Sequence, residues 1–284
     1  MDKIQHILKN IPEMNTLKDS VKPKIPTGRM TVISDKCPYH ECDGSGLIVV
    51  VKEDLSTVGV ICPCLEQKQL MRKIQSARIP DDYANVTVKE FDPAVYKDEI
   101  NVDKAKYAKK VAIRFVEKYY DLREMGKGLY FYSHIKGSGK THLAISITNA
   151  LIQKYNVQPL YISSVNLLSE IKNTFNQHSK TTSYDLLIAF KEADVLVIDD
   201  LGVEKSTEWS EEILTEILEE RMNYNRLTII TSNIPVEQLS TKYPAGRIES
   251  RIENMTFPIS MPEESVRRLL SKKENDRIAE MFFK

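Results

Sequence analysis

The sequence predicts an α/β fold in which a parallel sheet is covered by helices on both faces. From residue 128 onward, short apolar segments alternate with segments of helical periodicity, and this alternation is typical of parallel βα units. The segment Val195–Asp199 begins with four consecutive apolar residues, as expected of a central strand that is buried on both faces. The chain has 284 residues, which is enough for such a domain and a smaller one.

The individual elements follow from local periodicity. A helix is expected over residues 103–124, with Val111, Phe115, Val116 and Tyr119 on one face. Five strands follow it, with helices in the intervals. The expected strands are Leu129–Ser133, Pro159–Ile162, Val195–Asp199, Leu227–Ser232 and Thr256–Ile259.

A domain boundary is expected near residue 80. A polar stretch that contains Pro80 and Pro93 precedes the first long helix. We therefore divide the chain into domains 1–79 and 80–284. Residues 2–11 have apolar side chains at helical spacing, and this short helix either packs on its own domain or offers its apolar face to a partner.

The composition limits the class of function. Lys and Arg together number 40, as do Asp and Glu, so the formal net charge is zero. This balance argues against a protein that coats nucleic acid by bulk charge, although it is compatible with a local basic groove. The N-terminus lacks the apolar core of a signal peptide, and no run approaches the roughly 18 apolar residues that span a bilayer. We therefore expect a cytoplasmic protein without membrane association.

A glycine-rich segment, HIKGSGKT, predicts a phosphate-binding loop. A strand precedes it and a helix follows it, which is the context that a P-loop requires. Its glycines let the backbone approach phosphate, and the N–H groups of the turn and the helix N-terminus attract phosphate oxygens. Lys140 is expected to neutralise the β- and γ-phosphates, and the Thr141 hydroxyl to bind Mg²⁺. The expected nucleotide-binding residues are Gly137, Ser138, Gly139, Lys140 and Thr141.

Two carboxylates, Asp199 and Asp200, end the third strand of the expected sheet. Ligands of open parallel sheets bind at the carboxyl ends of the strands. We expect Asp199 to hold Mg²⁺, directly or through water, and Asp200 to polarise the attacking water. Their position on a strand after the P-loop is that of a Walker B element, although a pair of Asp residues alone would also suit a plain turn.

Several further polar positions are candidates for contact with the γ-phosphate. Asn233 follows the fourth strand and either orients water there or is a turn residue. Arg247 and Arg251 lie one helical turn apart, and either stabilises charge in a neighbouring subunit's site or forms ordinary ion pairs. The same alternatives apply to Arg267 and Arg268.

The ordered segments GSGKT, VLVIDDLGVEKSTEW, TIITSNIP and GRIESRI resemble those of the AAA+ helicase loaders of the DnaC and DnaI type and their relatives, the IstB-like ATPases. The resemblance covers most of residues 80–260 and implies an AAA+ P-loop ATPase that binds ATP with Mg²⁺. It also implies a catalytic role for each of five residues. By the resemblance, Asp199 binds the metal, Asp200 is the catalytic carboxylate and Asn233 is the sensor 1 residue. Arg251, in preference to Arg247, is the arginine finger that acts in trans. Arg267 is the sensor 2 arginine.

Two positions depart from the family pattern. His134 stands where the motif GxxxxGK[ST] has its first glycine, and we expect it to restrict the turn and weaken nucleotide affinity. Asp200 stands where most AAA+ proteins carry Glu, and the shorter carboxylate reaches less far toward water. Hydrolysis is therefore expected to be slow and stimulated by a partner.

The resemblance also implies a single-stranded DNA site between the P-loop helix and the Walker B strand. Lys172, Phe175 and Lys180 offer cations for phosphate and an aromatic ring for stacking against a base. The same three residue types would suit an ordinary helix end, so both interpretations stand.

All four cysteines lie between residues 37 and 64, which favours a metal site over a disulfide framework. The segment between Cys37 and Cys42 on one side and Cys62 and Cys64 on the other predicts a β-hairpin. This hairpin would bring four thiolates together as a closed tetrahedral Zn²⁺ site. His40 could replace Cys42 as a ligand, and four buried thiols without metal are the alternative. Because the domain is small, the metal would supply much of its folding free energy.

The resemblance implies an ATP-dependent loader that places a DnaB-type replicative helicase on single-stranded DNA in replication initiation or restart. It also implies self-association into a helical or ring oligomer. The layout of this chain resembles that of loaders of the DnaI branch, with a zinc-bearing N-terminal domain that contacts the helicase. Two alternatives remain. One is an IstB-like transposase helper, which typically lacks that domain, and the other is a helicase adaptor switched by ATP with negligible hydrolysis.

Overall fold

The computed structural model describes residues 34–35, 37, 39–52, 54, 56–65, 76–174 and 183–283. The chain divides into two compact units, Met1–Gln75 and Ser76–Lys284. This division precedes residue 80 because Ala77 is buried in the second unit, where its carbonyl accepts the N–H of Tyr161 at 2.8 Å. The helix expected over residues 2–11 lies outside the described residues.

The described part of the first unit contains the expected hairpin. Strands β1 (Leu47–Val51) and β2 (Thr57–Ile61) pair in antiparallel fashion. Ile48 and Val50 of β1 are buried together with the four cysteines, whereas alternate residues such as Leu47 are exposed. Among the described residues of this unit, apolar burial is therefore limited to a few side chains beside the cysteines.

A parallel five-stranded sheet forms the centre of the second unit, and the expected α/β fold class is confirmed. The strands are β3 (Gly128–Tyr132), β4 (Pro159–Ser163), β5 (Val195–Leu201), β6 (Leu227–Ser232) and β7 (Thr256–Ser260). They lie in the order β4-β5-β6-β3-β7, and every neighbouring pair is parallel. Their bounds differ from the expected ones by two residues at most.

The described residues of the second unit form nine α-helices. They are α1 (Glu99–Glu117), α2 (Tyr119–Glu124), α3 (Lys140–Tyr155), α4 (Ser164–Thr174), α5 (Ser183–Glu192), α6 (Glu208–Asn223), α7 (Leu239–Lys242), α8 (Arg247–Met255) and α9 (Val266–Phe283). Short 3-10 helices occur at Asp81–Tyr83, Pro93–Val95 and Val236–Gln238. No helix in this described part of the chain has the length and apolar character needed to cross a lipid bilayer.

The single helix expected over residues 103–124 is two helices, α1 and α2, which are separated at Lys118. Helix α1 begins before the expected position because the Asp98 carboxylate caps it, accepting the N–H groups of Ile100 and Asn101. Its buried face also differs from the expected one. That face consists of Ala105, Ala108, Ala112 and Phe115, while Val111 and Val116 are only half-buried, because small side chains let α1 pack closely against α3.

Helices cover both faces of the sheet, as the apolar strands require. On one face, side chains such as Tyr130 and Ile198 pack against α4, α5, α6 and α8 in one buried cluster. Their strand neighbours, such as Phe131 and Val197, are fully buried on the opposite face, where α3 contacts β3, β5 and β6. Apolar side chains and helices therefore cover both faces of the sheet. A polar ligand can bind only at its edges, where the strands end.

Arg221 of α6 is a fully buried cation at the amino end of the sheet. Its guanidinium donates to the last carbonyls of α5 and to the first residues of β6. The acceptors are the carbonyls of Phe190 (2.9 Å), Lys191 (3.0 Å), Ala193 (2.9 Å) and Leu227 (2.5 Å) and the hydroxyl of Thr228 (2.9 Å). Burial lowers the pKa of Arg221 to about 9, so the group is still protonated at neutral pH. This side chain fastens α5 and α6 to the start of β6.

We expect Arg221→Ala to lower the free energy of unfolding by roughly 3–5 kcal/mol, because it deprives several carbonyls of their donors at once. Arg114, which is exposed and forms a surface ion pair with Glu117, provides the matched control, and Arg114→Ala should cost less than about 1 kcal/mol. Urea denaturation of both variants, followed by circular dichroism, measures the difference. Equal midpoints for the two variants would show that Arg221 does not hold the layers together.

Candidate functional site

The expected phosphate-binding loop connects β3 to the N-terminus of α3. Gly137 and Gly139 have φ angles of +80° and +91°, in the left-handed region that favours glycine. A Cβ on Gly139 would also lie 2.7 Å from the Phe91 ring, so the position has no room for one. Helix α3 begins at Lys140, and its positive end therefore faces the loop.

Lys140 is buried beneath this loop, with 5% of its surface exposed. Its ammonium group donates to the carbonyls of Ser133 (3.3 Å) and Ile135 (3.0 Å) and to the hydroxyl of Ser138 (3.3 Å). Burial lowers the pKa of Lys140, and nearby carboxylates, that of Asp200 foremost, oppose this shift. Among the described residues, the Lys140 ammonium group thus donates to three neutral oxygens. A negatively charged phosphate oxygen would bind it more strongly than these neutral acceptors do.

His134 does not distort the loop, contrary to what its position in the motif suggests. Its backbone φ is not among the positive values, so this position does not require glycine. Its side chain is exposed, and its N–H donates to Glu263 Oε1 at 3.3 Å. The expected restriction of the turn by His134 therefore has no counterpart in the backbone geometry.

Asp199 links the end of β5 to the phosphate-binding loop. Thr141 Oγ1 donates to Asp199 Oδ1 at 2.8 Å, and Thr231 Oγ1 of β6 donates to the same oxygen at 2.7 Å. Tyr161 Oη of β4 donates to Asp199 Oδ2 at 2.8 Å, and burial together with this carboxylate raises the pKa of Tyr161. Hydroxyl and carboxylate oxygens are the ligands that Mg²⁺ prefers, so Thr141 and Asp199 fit the ion expected with a bound nucleotide.

An irregularity at the end of β5 gives the two carboxylates different surroundings. The register of β5 against β6 shifts there, and Asp200 has a φ of +54°. The Asp200 N–H donates to Thr231 Oγ1, and its carbonyl accepts from Ser164 Oγ, both at 2.9 Å. Asp199 is consequently buried, whereas Asp200 lines the open pocket. Burial and the neighbouring Asp199 raise the pKa of Asp200, which makes it a better proton acceptor.

A pocket of about 470 Å³ lies in front of the loop, and its size suits a nucleotide. The expected residues Gly137–Thr141, Asp200, Asn233 and Arg267 all line it. The buried Asn233 Oδ1 has no hydrogen-bond partner among the described residues. The start of α9, which carries Arg267, adjoins the loop because the Val266 N–H donates to the Gly137 carbonyl at 2.9 Å.

One wall of the pocket was not expected from the sequence. Phe91 has its ring centre 6.2 Å from that of Tyr96 and 6.0 Å from that of His142, and all three line the pocket. The Tyr96 hydroxyl also donates to the Ser138 carbonyl at 2.9 Å. An apolar, aromatic wall of this kind suits a flat nucleobase. The sequence signal for this wall is Phe91 in the polar connection and Tyr96 three residues after Pro93.

The arginines expected to act in trans lie away from the pocket of their own chain. Arg251 of α8 pairs with Glu219 of α6, with Nη2 and Oε2 3.0 Å apart, and donates to the Arg247 carbonyl at 3.0 Å. The Arg251 side chain is 18% exposed, whereas Arg247 is an exposed residue. Because neither side chain lines the pocket, contact with a nucleotide would require a second copy of the chain.

The three residues expected at a single-stranded DNA site are only partly described. Lys172 is exposed near the end of α4. Phe175 and Lys180 lie outside the described residues.

The four cysteines converge beside the hairpin of the first unit, and the expected cluster is confirmed. The sulfurs of Cys37, Cys42, Cys62 and Cys64 all lie within 4.8 Å of one another, and all four residues are fully buried. Cys37 Sγ lies 3.7 Å from Cys62 Sγ, and Cys42 Sγ lies 3.4 Å from Cys64 Sγ. Zn–S bonds of about 2.3 Å in a tetrahedron place sulfurs about 3.8 Å apart, so the cluster is compatible with Zn²⁺.

His40 is not part of the cluster. Its side chain is two-thirds exposed, and its Nδ1 lies 4.0 Å from Asp35 Oδ1. Cys42 fills the fourth position instead, so the alternative in which His40 replaces Cys42 is wrong.

Backbone N–H groups point at two of the sulfurs. The Glu41 N–H donates to Cys37 Sγ at 3.5 Å, and the Gly44 N–H donates to Cys42 Sγ at 3.3 Å. Burial alone raises the pKa of a thiol, but at Cys37 the N–H groups outweigh burial and lower the pKa to about 6. Such contacts stabilise the thiolate form, which is the form that binds a metal.

Comparison with known proteins provides independent information on the family. The replicative helicase loader DnaI of Bacillus subtilis (strain 168) is 26% identical over 266 residues, which are 89% of this chain and 75% of DnaI. The alignment exceeds the unit Ser76–Lys284, so it extends into the cysteine-bearing unit. The replicative helicase loader DnaC of Escherichia coli (strain K12) is 31% identical over 123 residues, 43% of this chain and about half (49%) of DnaC.

A solved structure and a family profile agree with these relatives. The crystal structure of DnaI superimposes with a TM-score of 0.54 at 30% identity, covering 64% of this chain and 94% of that one. The profile of the IstB-like ATP binding proteins matches residues 64–252, well over half of the chain, including the phosphate-binding loop and the acidic end of β5. The chain therefore belongs to the family of IstB-like ATP binding proteins, within the AAA+ ATPases.

Proposed function

We propose that this protein is an ATPase that loads a DnaB-type replicative helicase onto single-stranded DNA, in the initiation or restart of replication. The observation that carries the proposal is the 2.8 Å contact between Thr141 Oγ1 and Asp199 Oδ1, which unites the phosphate-binding loop and the acidic strand end in one site. The similarity to the loader DnaI over 89% of the chain supports the loader role.

The pocket residues account for the steps of hydrolysis. Thr141 and Asp199 would hold Mg²⁺, which neutralises charge on the β- and γ-phosphates when it is bound. Lys140 exchanges its neutral acceptors for phosphate oxygens. Asp200, with its raised pKa, accepts a proton from the attacking water, and the unpartnered Asn233 Oδ1 orients that water.

Two arginines complete the site from different chains. Arg267 faces the pocket of its own chain at the start of α9, where it can contact phosphate. Arg251 would reach the pocket of a neighbouring copy in a helical or ring oligomer, and it must leave Glu219 to do so. Hydrolysis would then depend on assembly, so an isolated chain would be slow.

The first unit supplies the partner-binding part of the protein in this proposal. In the described residues of this unit, the buried cluster contains Ile48, Val50 and the four cysteines, and a bound Zn²⁺ would cross-link it and add to its stability. A cysteine-bearing N-terminal unit in addition to the nucleotide-binding unit favours the loader over a transposase helper. We assign single-stranded DNA contacts to Lys172, Phe175 and Lys180.

Co-purification with the cognate hexameric helicase tests the loader role. We expect the full chain to capture that helicase, and Cys42→Ser to lose it because the metal-dependent unit no longer folds. His40→Ala, which alters an exposed residue beside the cluster, should bind like the wild type. Failure of the wild-type chain to bind the helicase, with or without ATP, would contradict the proposal. Capture of a transposase instead would favour the helper role.

Nucleotide-site variants test hydrolysis in trans. We expect Lys140→Ala to weaken ATP binding by about 10–100-fold, since it removes a charge-assisted contact. Arg251→Ala should still bind ATP but hydrolyse it roughly 10³-fold more slowly. A mixture of the two variants should be more active than either alone, because Lys140→Ala chains donate Arg251 to intact pockets. Phosphate release measures all three rates.

Arg247→Ala is the comparison for that experiment, because Arg247 lies one turn before Arg251 on the same helix. A larger loss in Arg247→Ala than in Arg251→Ala would move the finger to Arg247. A mixture no more active than its components would argue against action in trans. If the wild type and every variant released phosphate only at the background rate, the protein would be an ATP-switched adaptor instead of an ATPase.

Metal analysis tests the cysteine cluster. We expect one Zn²⁺ per chain, and the Co²⁺-substituted protein should show the absorption of a tetrahedral tetrathiolate site. Chelation should unfold the first unit while the second keeps its cooperative thermal transition. Full Zn²⁺ occupancy in Cys64→Ser would show that the cysteines are ordinary buried thiols. A first unit that stays folded after chelation would show the same.

A further inference from the structure

Tyr161 is a half-buried contact of the acidic strand end that the mechanism above does not use. Its Oη donates to Asp199 Oδ2 at 2.8 Å. The other two hydroxyl donors to this carboxylate within the described residues, Thr141 and Thr231, both bond to Oδ1. Tyr161 is therefore the contact that fixes the second oxygen of Asp199.

The backbone that carries the Tyr161 ring is held from both sides. In the pairing of β4 with β5, Tyr161 lies opposite Val197. On its other side, the Tyr161 N–H donates to the carbonyl of Ala77 at 2.8 Å, and Ala77 is itself fully buried. The edge strand is thus covered at this residue, and the phenol hydroxyl is presented at a defined point.

Fixing both oxygens of a carboxylate prevents its rotation about the Cβ–Cγ bond. The Thr141 hydroxyl donates to Asp199 Oδ1, so the direction of the Thr141 oxygen depends on the orientation of Asp199. Mg²⁺ requires nearly ideal octahedral geometry and tolerates little misplacement of its ligands. Residues that orient metal ligands typically change metal affinity by about 10–100-fold when they are removed.

We propose that Tyr161 is a positioning residue for the Mg²⁺ of the bound nucleotide, because its hydroxyl fixes Asp199 relative to Thr141. This inference rests on the nucleotide site of the proposed function. Tyr161 does not line the pocket, so it acts through Asp199 and does not touch the nucleotide. Removal of the hydroxyl should weaken the magnesium-dependent part of nucleotide binding and leave metal-free binding unchanged.

Binding of a fluorescent ADP analogue to the full chain provides the test. In EDTA, the dissociation constants of the wild type and Tyr161→Phe should agree within about twofold. Titration with MgCl₂ should then require about 10-fold more Mg²⁺ for half-maximal effect in Tyr161→Phe. Tyr130→Phe is the control, because Tyr130 also lies on a strand of the sheet and its hydroxyl donates to the Ile234 carbonyl at 2.7 Å, away from Asp199. It should titrate like the wild type.

Four results would overturn the inference. Identical MgCl₂ titrations of Tyr161→Phe and the wild type would show that Asp199 needs no help from Tyr161. Equal weakening with and without Mg²⁺ would show that the hydroxyl only maintains the fold, and so would the same shift in Tyr130→Phe. If the wild type bound no nucleotide at all, the proposed function itself would fail and this inference with it. If the wild type binds nucleotide normally and Tyr161→Phe titrates like it, only the inference about Tyr161 fails and the proposed function stands.

Discussion

The contact between the Thr141 hydroxyl and the Asp199 carboxylate is the constraint on which the second unit depends. It forms only if β3 and β5 lie in one parallel sheet, with their carboxyl ends at the same edge and β6 between them. Thr231, at the end of β6, donates to the same carboxylate and so fills the space between the two motifs. The polar edge of the sheet is therefore a continuous network, and an ATP-binding pocket opens directly in front of it.

Strand β6 is fixed by polar contacts at both of its ends. At its start, the Leu227 carbonyl and the Thr228 hydroxyl accept from the buried Arg221. At its other end, Thr231 bonds to Asp199. A shift of β6 by one residue would break both sets of contacts, because it would move every side chain to the opposite face. The same register that buries the apolar side chains thus also aligns the site.

The first unit follows a different physical rule. A two-stranded hairpin with a few apolar side chains is at best marginally stable in water. Four buried sulfurs beside it, two of them receiving backbone N–H groups, form a cluster that a divalent metal can cross-link. The second unit has a large apolar core, whereas the described residues of the first unit bury few apolar side chains beside the cysteines. A metal is therefore expected to matter for the cysteine cluster and not for the sheet.

The sequence by itself determined the strands, the glycine loop, the paired aspartates and the four-cysteine hairpin, because each depends on local periodicity or short spacing. It misjudged the buried face of α1, where packing against α3 selected alanines over valines. It suggested that His134 would restrict the loop, but the backbone there needs no glycine. Only the tertiary structure decided that Phe91 and Tyr96 form a wall of the pocket. It likewise decided that Arg251 forms an ion pair with Glu219 and that the Tyr161 hydroxyl donates to Asp199. Those contacts join residues distant in the chain, and their geometry is set by sheet order and helix packing, which no local pattern encodes.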